Sequence, residues 1–238
     1  ENLNLMLFLS GKTISLFGSA IYSFVIGLYL LKTTSSALSF ALNLSLYTLP
    51  VVIFNPIAGV IADKFNKKIL VVGSDLINGI FLSLIYFIIK NYTFEVYILY
   101  FSTFIMTSLT VFFDIALESA KPSLVRESVL VKINSQARVI ESLSHILGPL
   151  IGGIIYGFIN LEVFILINAI SFLISAIIEY FIDYQYNQQI DKKIGNEKSF
   201  DTFIFKLKEG FHYIFKSKKL KALVYIFIAL NFFFNFTL

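Results

Sequence analysis

The sequence contains no cysteine, no tryptophan and only two histidines among its 238 residues. Without Cys the chain forms no disulfide, no thiolate nucleophile and no Cys-based metal site. Two histidines, His145 and His212, also cannot supply a His-rich metal centre. We therefore expect neither a metal nor a cofactor.

Charge is also scarce, since charged residues make up 14% of the chain, against about 25% in soluble proteins. Hydrophobic residues make up 57%, so lipid has to solvate the chain. In a bilayer every backbone polar group needs an internal partner, which leaves helices or closed barrels. The apolar runs are continuous and lack the alternation of barrel strands. The sequence predicts an all-α, multi-pass protein whose first partner is the lipid bilayer.

Six apolar stretches are long enough to cross a bilayer. Their predicted bounds are residues 3–31, 38–62, 69–89, 96–120, 133–158 and 163–184, with a polar inner loop over 121–132. A polar linker over 185–199 leads to an amphipathic segment, 200–217, predicted to lie on the membrane surface. The predicted domains are a six-span bundle (1–184), a cytoplasmic linker with an amphipathic helix (185–219) and a truncated seventh span (220–238).

Basic residues are concentrated on one side of the predicted spans. Three follow span two, four follow span four, and nine Lys lie between Lys192 and Lys221, whereas the opposite connections hold Lys32 and Lys90. By the positive-inside rule, the N-terminus and the central loop are cytoplasmic in a plasma-membrane protein. These loop clusters account for the net charge of +4, so we expect no nucleic-acid partner.

Two spans carry polar stripes at helical spacing. Span one has Lys12, Ser15, Ser19 and Ser23, and span four has Thr103, Thr107, Thr110, Asp114 and Glu118. Antiparallel packing would allow a Lys12 to Asp114 ion pair across a cavity. The alternative is that Lys12 reaches the inner surface while Asp114 bonds a neighbouring helix. The hydroxyls suit a wet cavity or a helix seam equally well.

Span five has a charged inner half and a small-residue outer half on one face: Arg138, Glu141, His145, Gly148 and Gly152. Arg138 and Glu141 can pair at spacing i, i+3. His145 suits a proton relay, although a single hydrogen bond would also account for it. Asp75 and Glu179 lie near the inner ends of their spans, which favours solvated carboxylates at the interface.

The charged turn over residues 59–70, GVIADKFNKKIL, resembles the loop signature of the major facilitator superfamily, within it the drug-efflux branch with macrolide-efflux proteins. The matching residues are Gly59, Ala62, Asp63, Lys64, Lys67 and Lys68. Asn66 replaces a Gly of the pattern, and Asn tolerates the left-handed conformation of a tight turn. Gly59 would let spans pack closely. The resemblance implies that Asp63 belongs to a gate that locks the outward-open state, while the three Lys fix topology.

Two further stretches resemble the same superfamily. Residues 147–153, LGPLIGG, are similar to the antiporter signature, in which Gly148, Gly152 and Gly153 permit close helix contact and Pro149 bends the span. Residues 208–215, KEGFHYIF, resemble the central-loop helix of the efflux branch.

The resemblance covers the whole chain and implies the N-terminal half of a transporter, built from inverted three-span repeats. The sequence begins with Glu1 rather than Met and ends inside an apolar run, so we expect the C-terminal half of the same polypeptide as a partner. Span one has no central carboxylate, and Asp114 stands in span four where the family embeds an Arg. Coupling groups can therefore also lie in the other half.

The resulting expectation is a secondary transporter, not an enzyme, that exports amphipathic small molecules by alternating access with proton antiport. One alternative is the same fold with another cargo, such as a siderophore, lipid or nutrient. The other is a membrane scaffold or sensor, although a scaffold would not need polar stripes. An enzyme is not expected, because the sequence has no HExxH motif, no Ser/His/Asp set and no paired midplane carboxylates.

Overall fold

The structure is a computed structural model that describes residues 1–91, 96–187 and 216–236. Its helices are α1 (Asn2–Thr34), α2 (Ala37–Lys64), α3 (Lys67–Asn91), α4 (Val96–Leu124), α5 (Glu127–Tyr156), α6 (Leu161–Tyr180) and α7 (Lys218–Phe236). Helices α1 to α6 are each long and apolar enough to cross a membrane. The predicted all-α membrane fold is thereby confirmed.

The chain divides into two compact units, Glu1–Ile194 and Gly195–Leu238. In the second unit the described helix is α7, which begins two residues before the predicted start of the seventh span at Leu220. Most of the predicted linker and amphipathic helix, including the stretch at 208–215, lies outside the described residues. The predicted division into three domains therefore remains a prediction.

The helices of the first unit extend past the apolar runs at the end where α2 joins α3 and α4 joins α5. We call this the basic end, because Lys64, Lys67, Lys68 and Arg126 lie there. The predicted polar loop over 121–132 is wrong, since only Val125 and Arg126 separate α4 from α5. Hydropathy marks the apolar part of a helix, whereas the helix itself continues through polar turns.

The turn between α2 and α3 is closed by Asn66 in a way that differs from the prediction. Ser35 is the described non-Gly residue with positive φ, at 51°, so Asn66 is not left-handed. Its side-chain oxygen instead accepts a hydrogen bond of 2.9 Å from the backbone N–H of Lys68. Asn66 therefore acts as an N-cap for α3.

Helix packing pairs α3 with α6, α2 with α4, and α1 with both α5 and α6. Small residues allow the closest approaches. A Cβ added to Gly79 of α3 would lie 3.1 Å from the backbone oxygen of Ala169, and one added to Gly18 of α1 would lie 2.2 Å from Ser171 Oγ. Large apolar side chains such as Ile77, Leu84 and Ile146 remain exposed on the outside of the bundle, as expected for a surface that faces lipid.

Candidate functional site

Lys12 is buried inside the bundle, nearer its basic end, with its side chain only 3% exposed. Its Nζ donates a hydrogen bond of 3.0 Å to Glu118 Oε1 of α4 and one of 2.7 Å to Glu141 Oε1 of α5. An ammonium inside a membrane protein is stable only with such partners. Lys12 therefore connects three helices, α1, α4 and α5, through charge.

A second cation contacts each of the two glutamates. Lys121 donates to Glu118 Oε2, and Arg138 Nη1 donates to Glu141 Oε2 at 2.8 Å. Both carboxylates thus bridge two cations, and we call these five residues the gate network. Glu118 and Glu141 have side chains 38% and 23% exposed, whereas the Lys12 side chain is buried.

The sequence suggested an ion pair between Lys12 and Asp114. The structure instead pairs Lys12 with Glu118 and Glu141. Asp114 lies one helical turn before Glu118 on the same face of α4 and still interacts electrostatically with Lys12. Helical phase therefore identified the correct face of α4. It could not show which residue along that face the Lys12 ammonium would contact.

On α5, Arg138 and Glu141 form the ion pair at spacing i, i+3. His145, one turn further along, is exposed on the surface of α5. It takes no part in the ion pairs of the gate network among the described residues. A relay through His145 therefore remains a prediction that these contacts do not support.

A further ion pair lies outside the spans at the basic end. Arg126 Nε donates a hydrogen bond of 2.7 Å to Glu1 Oε2, and this bond lowers the pKa of the Glu1 carboxyl. Asn4 is buried nearby and donates to the backbone oxygens of Leu124 and Asp183. These contacts hold the start of α1 against the ends of α4 and α6.

The residues of the charged turn occupy the surface of the basic end. Asp63 and Lys64 are exposed, Ala62 is buried and Lys67 is half-buried. The Lys68 ammonium lies 4.3 Å from the centroid of the Tyr180 ring, a cation–π contact between α3 and α6. In the described part of the chain a Cβ on Gly59 would meet no atom within 4 Å, so the close packing expected at Gly59 is wrong there.

The small residues of the 147–153 stretch face α1. A Cβ on Gly148 would lie 2.5 Å from Ala20 Cβ, and one on Gly152 would lie 3.3 Å from the backbone oxygen of Ile21. A Cβ on Gly153 would lie 3.4 Å from Phe24 Cε1, which is ordinary contact. Pro149 lies inside α5 without ending it.

Two hydroxyls of the α4 stripe contact neighbouring helices. Thr103 donates a 3.1 Å hydrogen bond to Asn43 Oδ1 of α2, and Thr110 Oγ1 accepts one of 3.5 Å from Asn78 Nδ2 of α3. Asn43 Nδ2 has no partner among the described residues, and the Tyr47 hydroxyl lies near Ser23 and Thr103. Neither Asn43 nor Tyr47 was predicted as a site residue, although a lone amide in an apolar helix is a usable signal.

Asp75 and Glu179 are not solvated interfacial carboxylates, and that prediction is wrong. Both residues are 0% exposed, because α3 and α6 pack against each other and α6 also packs against α1. The position of each residue along its span predicted correctly that it lies near the basic end of the bundle. That position could not show that both residues lie on the buried faces of these helices.

The profile of the Major Facilitator Superfamily matches residues 8–238. Macrolide efflux protein A of Streptococcus pyogenes is 28% identical over 218 residues, which cover 91% of this chain and 52% of that protein. The Enterococcus faecalis protein of the same name is 26% identical over 75% of the chain and 54% of its own length. Uncharacterized MFS-type transporter YkuC of Bacillus subtilis is 25% identical over 98% of the chain and 54% of its own length. The chain thus spans about half the length of these relatives.

Proposed function

Because the chain belongs to the Major Facilitator Superfamily, we propose that it is the N-terminal half of a secondary transporter that exports amphipathic small molecules by alternating access. The observation that carries this proposal is the gate network, in which buried Lys12 connects α1, α4 and α5. Relatives named for macrolide efflux support export as the direction and a large amphipathic molecule as the cargo. This function is transport rather than catalysis.

The gate network suits a conformational switch driven by protons. Alternating access requires one end of a bundle to open and close, and the ion pairs of Lys12 hold three helices together. Protonation of Glu118 or Glu141 would remove one negative charge from the ammonium and weaken that contact. Both carboxylates are partly exposed, so protons can reach them from water. Proton antiport is the coupling that this arrangement supports.

An aromatic patch between α2 and α4 suits the cargo. The Phe54 ring lies 6.4 Å from the Phe104 ring and 5.9 Å from the Phe112 ring, centroid to centroid. All three are half-buried. Asn43 and Tyr47 lie on the same helix as Phe54, and Asn43 Nδ2 has no partner in the described part of the chain. Apolar rings beside a few polar groups are typical of sites for amphipathic ligands.

The proposal also covers orientation and assembly. The basic end faces the cytoplasm of a plasma-membrane protein, as the excess of Lys and Arg there favours. Helices α2 and α5 are the least buried of the six candidate spans. They offer the surfaces on which the C-terminal half of the polypeptide would pack.

Cells that carry the full-length gene are expected to export a fluorescent amphipathic dye, and a protonophore is expected to abolish this export. The physical reason is that an antiporter loses its driving force when the proton gradient collapses. Dye retention is measured with and without the protonophore, and cells with an empty vector are the control. Export that persists in the presence of the protonophore would contradict proton coupling. Absence of export for all dyes would contradict an amphipathic cargo and favour a specific metabolite as the substrate.

Replacing Asp63 with Asn in the full-length protein is expected to preserve expression and reduce export at least several-fold. Asp63 lies exposed at the end of α2, so the substitution removes a charge without disturbing a core. The matched control is Glu127→Gln, which removes an exposed carboxylate at the start of α5 on the same end. Equal export by the Asp63→Asn and Glu127→Gln proteins would show that the Asp63 carboxylate has no specific role in gating.

A further inference from the structure

Asp75 of α3 and Glu179 of α6, here called the carboxyl pair, lie outside the gate network. Both are fully buried and close enough to interact electrostatically. Oε2 of Glu179 has no hydrogen-bond partner within the described residues, and the groups that face the Asp75 carboxyl are the hydroxyls of Ser15 and Ser175. A carboxylate in such a place is costly unless a cation or a proton neutralises it.

Among the described residues, the groups that interact electrostatically with the carboxyl pair include no cation. Asp114 of α4 and Tyr184, which follows α6, interact electrostatically with the pair, and neither is a cation. The neighbouring groups of α1, Gly11 and Ser15, are uncharged. Lys12 directs its ammonium to the two glutamates of the gate network. The charge of the pair is therefore left for a proton to neutralise.

The hydrogen bonds of Ser175 are compatible with a proton on Glu179. Ser175 Oγ is 3.0 Å from the backbone oxygen of Gly11 and 3.0 Å from Glu179 Oε1. A hydroxyl has a single hydrogen, and a backbone carbonyl oxygen only accepts. If Ser175 donates to Gly11, the second bond needs a hydrogen on Oε1 of Glu179. A protonated Glu179 satisfies both contacts at once.

We propose that the carboxyl pair is a proton-binding site inside the membrane-spanning bundle, with a proton held on Glu179 and donated to Ser175. Binding joins one carboxylate and one proton from water into a neutral carboxyl, and release reverses this step. The site is separate from the gate network, whose carboxylates are all paired with cations. It is also independent of any particular cargo.

The carboxyl pair adjoins the gate network through the backbone of α1. A Cβ on Gly11 would lie 2.9 Å from Glu179 Cγ and 3.0 Å from Glu179 Oε1, so the carboxyl touches α1 one residue before Lys12. Release of the proton would place a negative charge near Asp114 of α4, which interacts electrostatically with the carboxyl pair and with Lys12.

The test is infrared spectroscopy of the full-length protein in lipid nanodiscs, in H2O and in D2O. A protonated carboxyl gives a C=O band that shifts on deuteration, and we expect such a band at neutral pH. The band should disappear in Glu179→Gln, persist in Glu162→Gln at the other end of α6, and change frequency in Ser175→Ala. A wild-type spectrum without the band would overturn the proposal, as would a band that survives unchanged in Glu179→Gln.

A second measurement needs no variant and so does not depend on whether the substituted proteins fold. Dicyclohexylcarbodiimide attacks protonated carboxyls in apolar surroundings, and mass spectrometry locates the adduct. We expect labelling of Glu179 in the wild-type protein and little at Glu118 or Glu141. Wild-type protein without an adduct on Glu179 would overturn the proposal. Neither measurement involves transport, so a failure of the proposed export function would be recognised separately.

Discussion

Replacing Lys12 with Met is expected to abolish export and to destabilise the protein by about 3 kcal/mol. Met fills a similar volume, so the change removes mainly the charge. Glu118 and Glu141 would then face each other without the ammonium that bridges them at 3.0 and 2.7 Å. Lys121 and Arg138 would still neutralise one oxygen of each glutamate, which keeps the cost at the lower end for a buried ion pair. Thermal unfolding in detergent and dye export in cells measure the two effects.

The control for Lys12→Met is Lys32→Met, which removes an exposed ammonium near the end of the same helix. Adding Glu141→Gln to Lys12→Met is expected to recover part of the stability, because it removes one unpaired charge, but not the export. A double-mutant cycle with Glu141 then isolates the pair energy. Equal unfolding temperatures for Lys12→Met and Lys32→Met would contradict the network as described.

Replacing Gly148 with Ala is expected to destabilise the protein by about 1–3 kcal/mol through overpacking. The new Cβ would lie 2.5 Å from Ala20 Cβ and 3.1 Å from the backbone carbon of Ala20. Since part of this contact is backbone, α1 and α5 would have to move apart. The unfolding temperature measures the effect, and export should fall with it because the same helices hold Lys12 and Glu141.

Two variants make the Gly148 prediction specific. Gly157→Ala, at the end of α5, introduces a Cβ that meets nothing within 4 Å among the described residues, and is expected to leave stability nearly unchanged. Ala20→Gly combined with Gly148→Ala removes the nearest clash and is expected to be more stable than the sum of the single changes predicts. Strict additivity of Ala20→Gly and Gly148→Ala would mean that these helices do not touch there.

Most of the bundle could be predicted because each apolar run corresponds to a helix. The ends could not, since α5 begins at Glu127 in a polar turn that hydropathy assigns to a loop. The same limit applies to Asn66, where the sequence showed a turn residue and the structure shows a helix cap. A turn residue indicates that the chain turns, but its backbone conformation depends on which atoms it can bond.

The sequence predicted which helix faces form the candidate site, but not which side chains touch each other there. Helical phase placed Lys12, Asp114 and Glu118 on facing surfaces, but only three-dimensional packing shows that Glu118 and Glu141 reach the ammonium. The buried state of Glu179 was missed because it depends on α1 and α3 packing against α6. A signal was nevertheless present, since Ser175 lies one turn before Glu179 on the same face of a very apolar helix.

The central claim, an exporter coupled to protons, is tested most directly with the purified full-length protein in proteoliposomes. An amphipathic dye is added outside, and a pH gradient, acidic inside, is imposed by dilution. We expect transporters inserted with the basic end outward to accumulate dye while protons leave. Collapse of the gradient should stop accumulation, and Lys12→Met protein should show none. Accumulation that is independent of the gradient, or equal for wild type and Lys12→Met, would contradict the account.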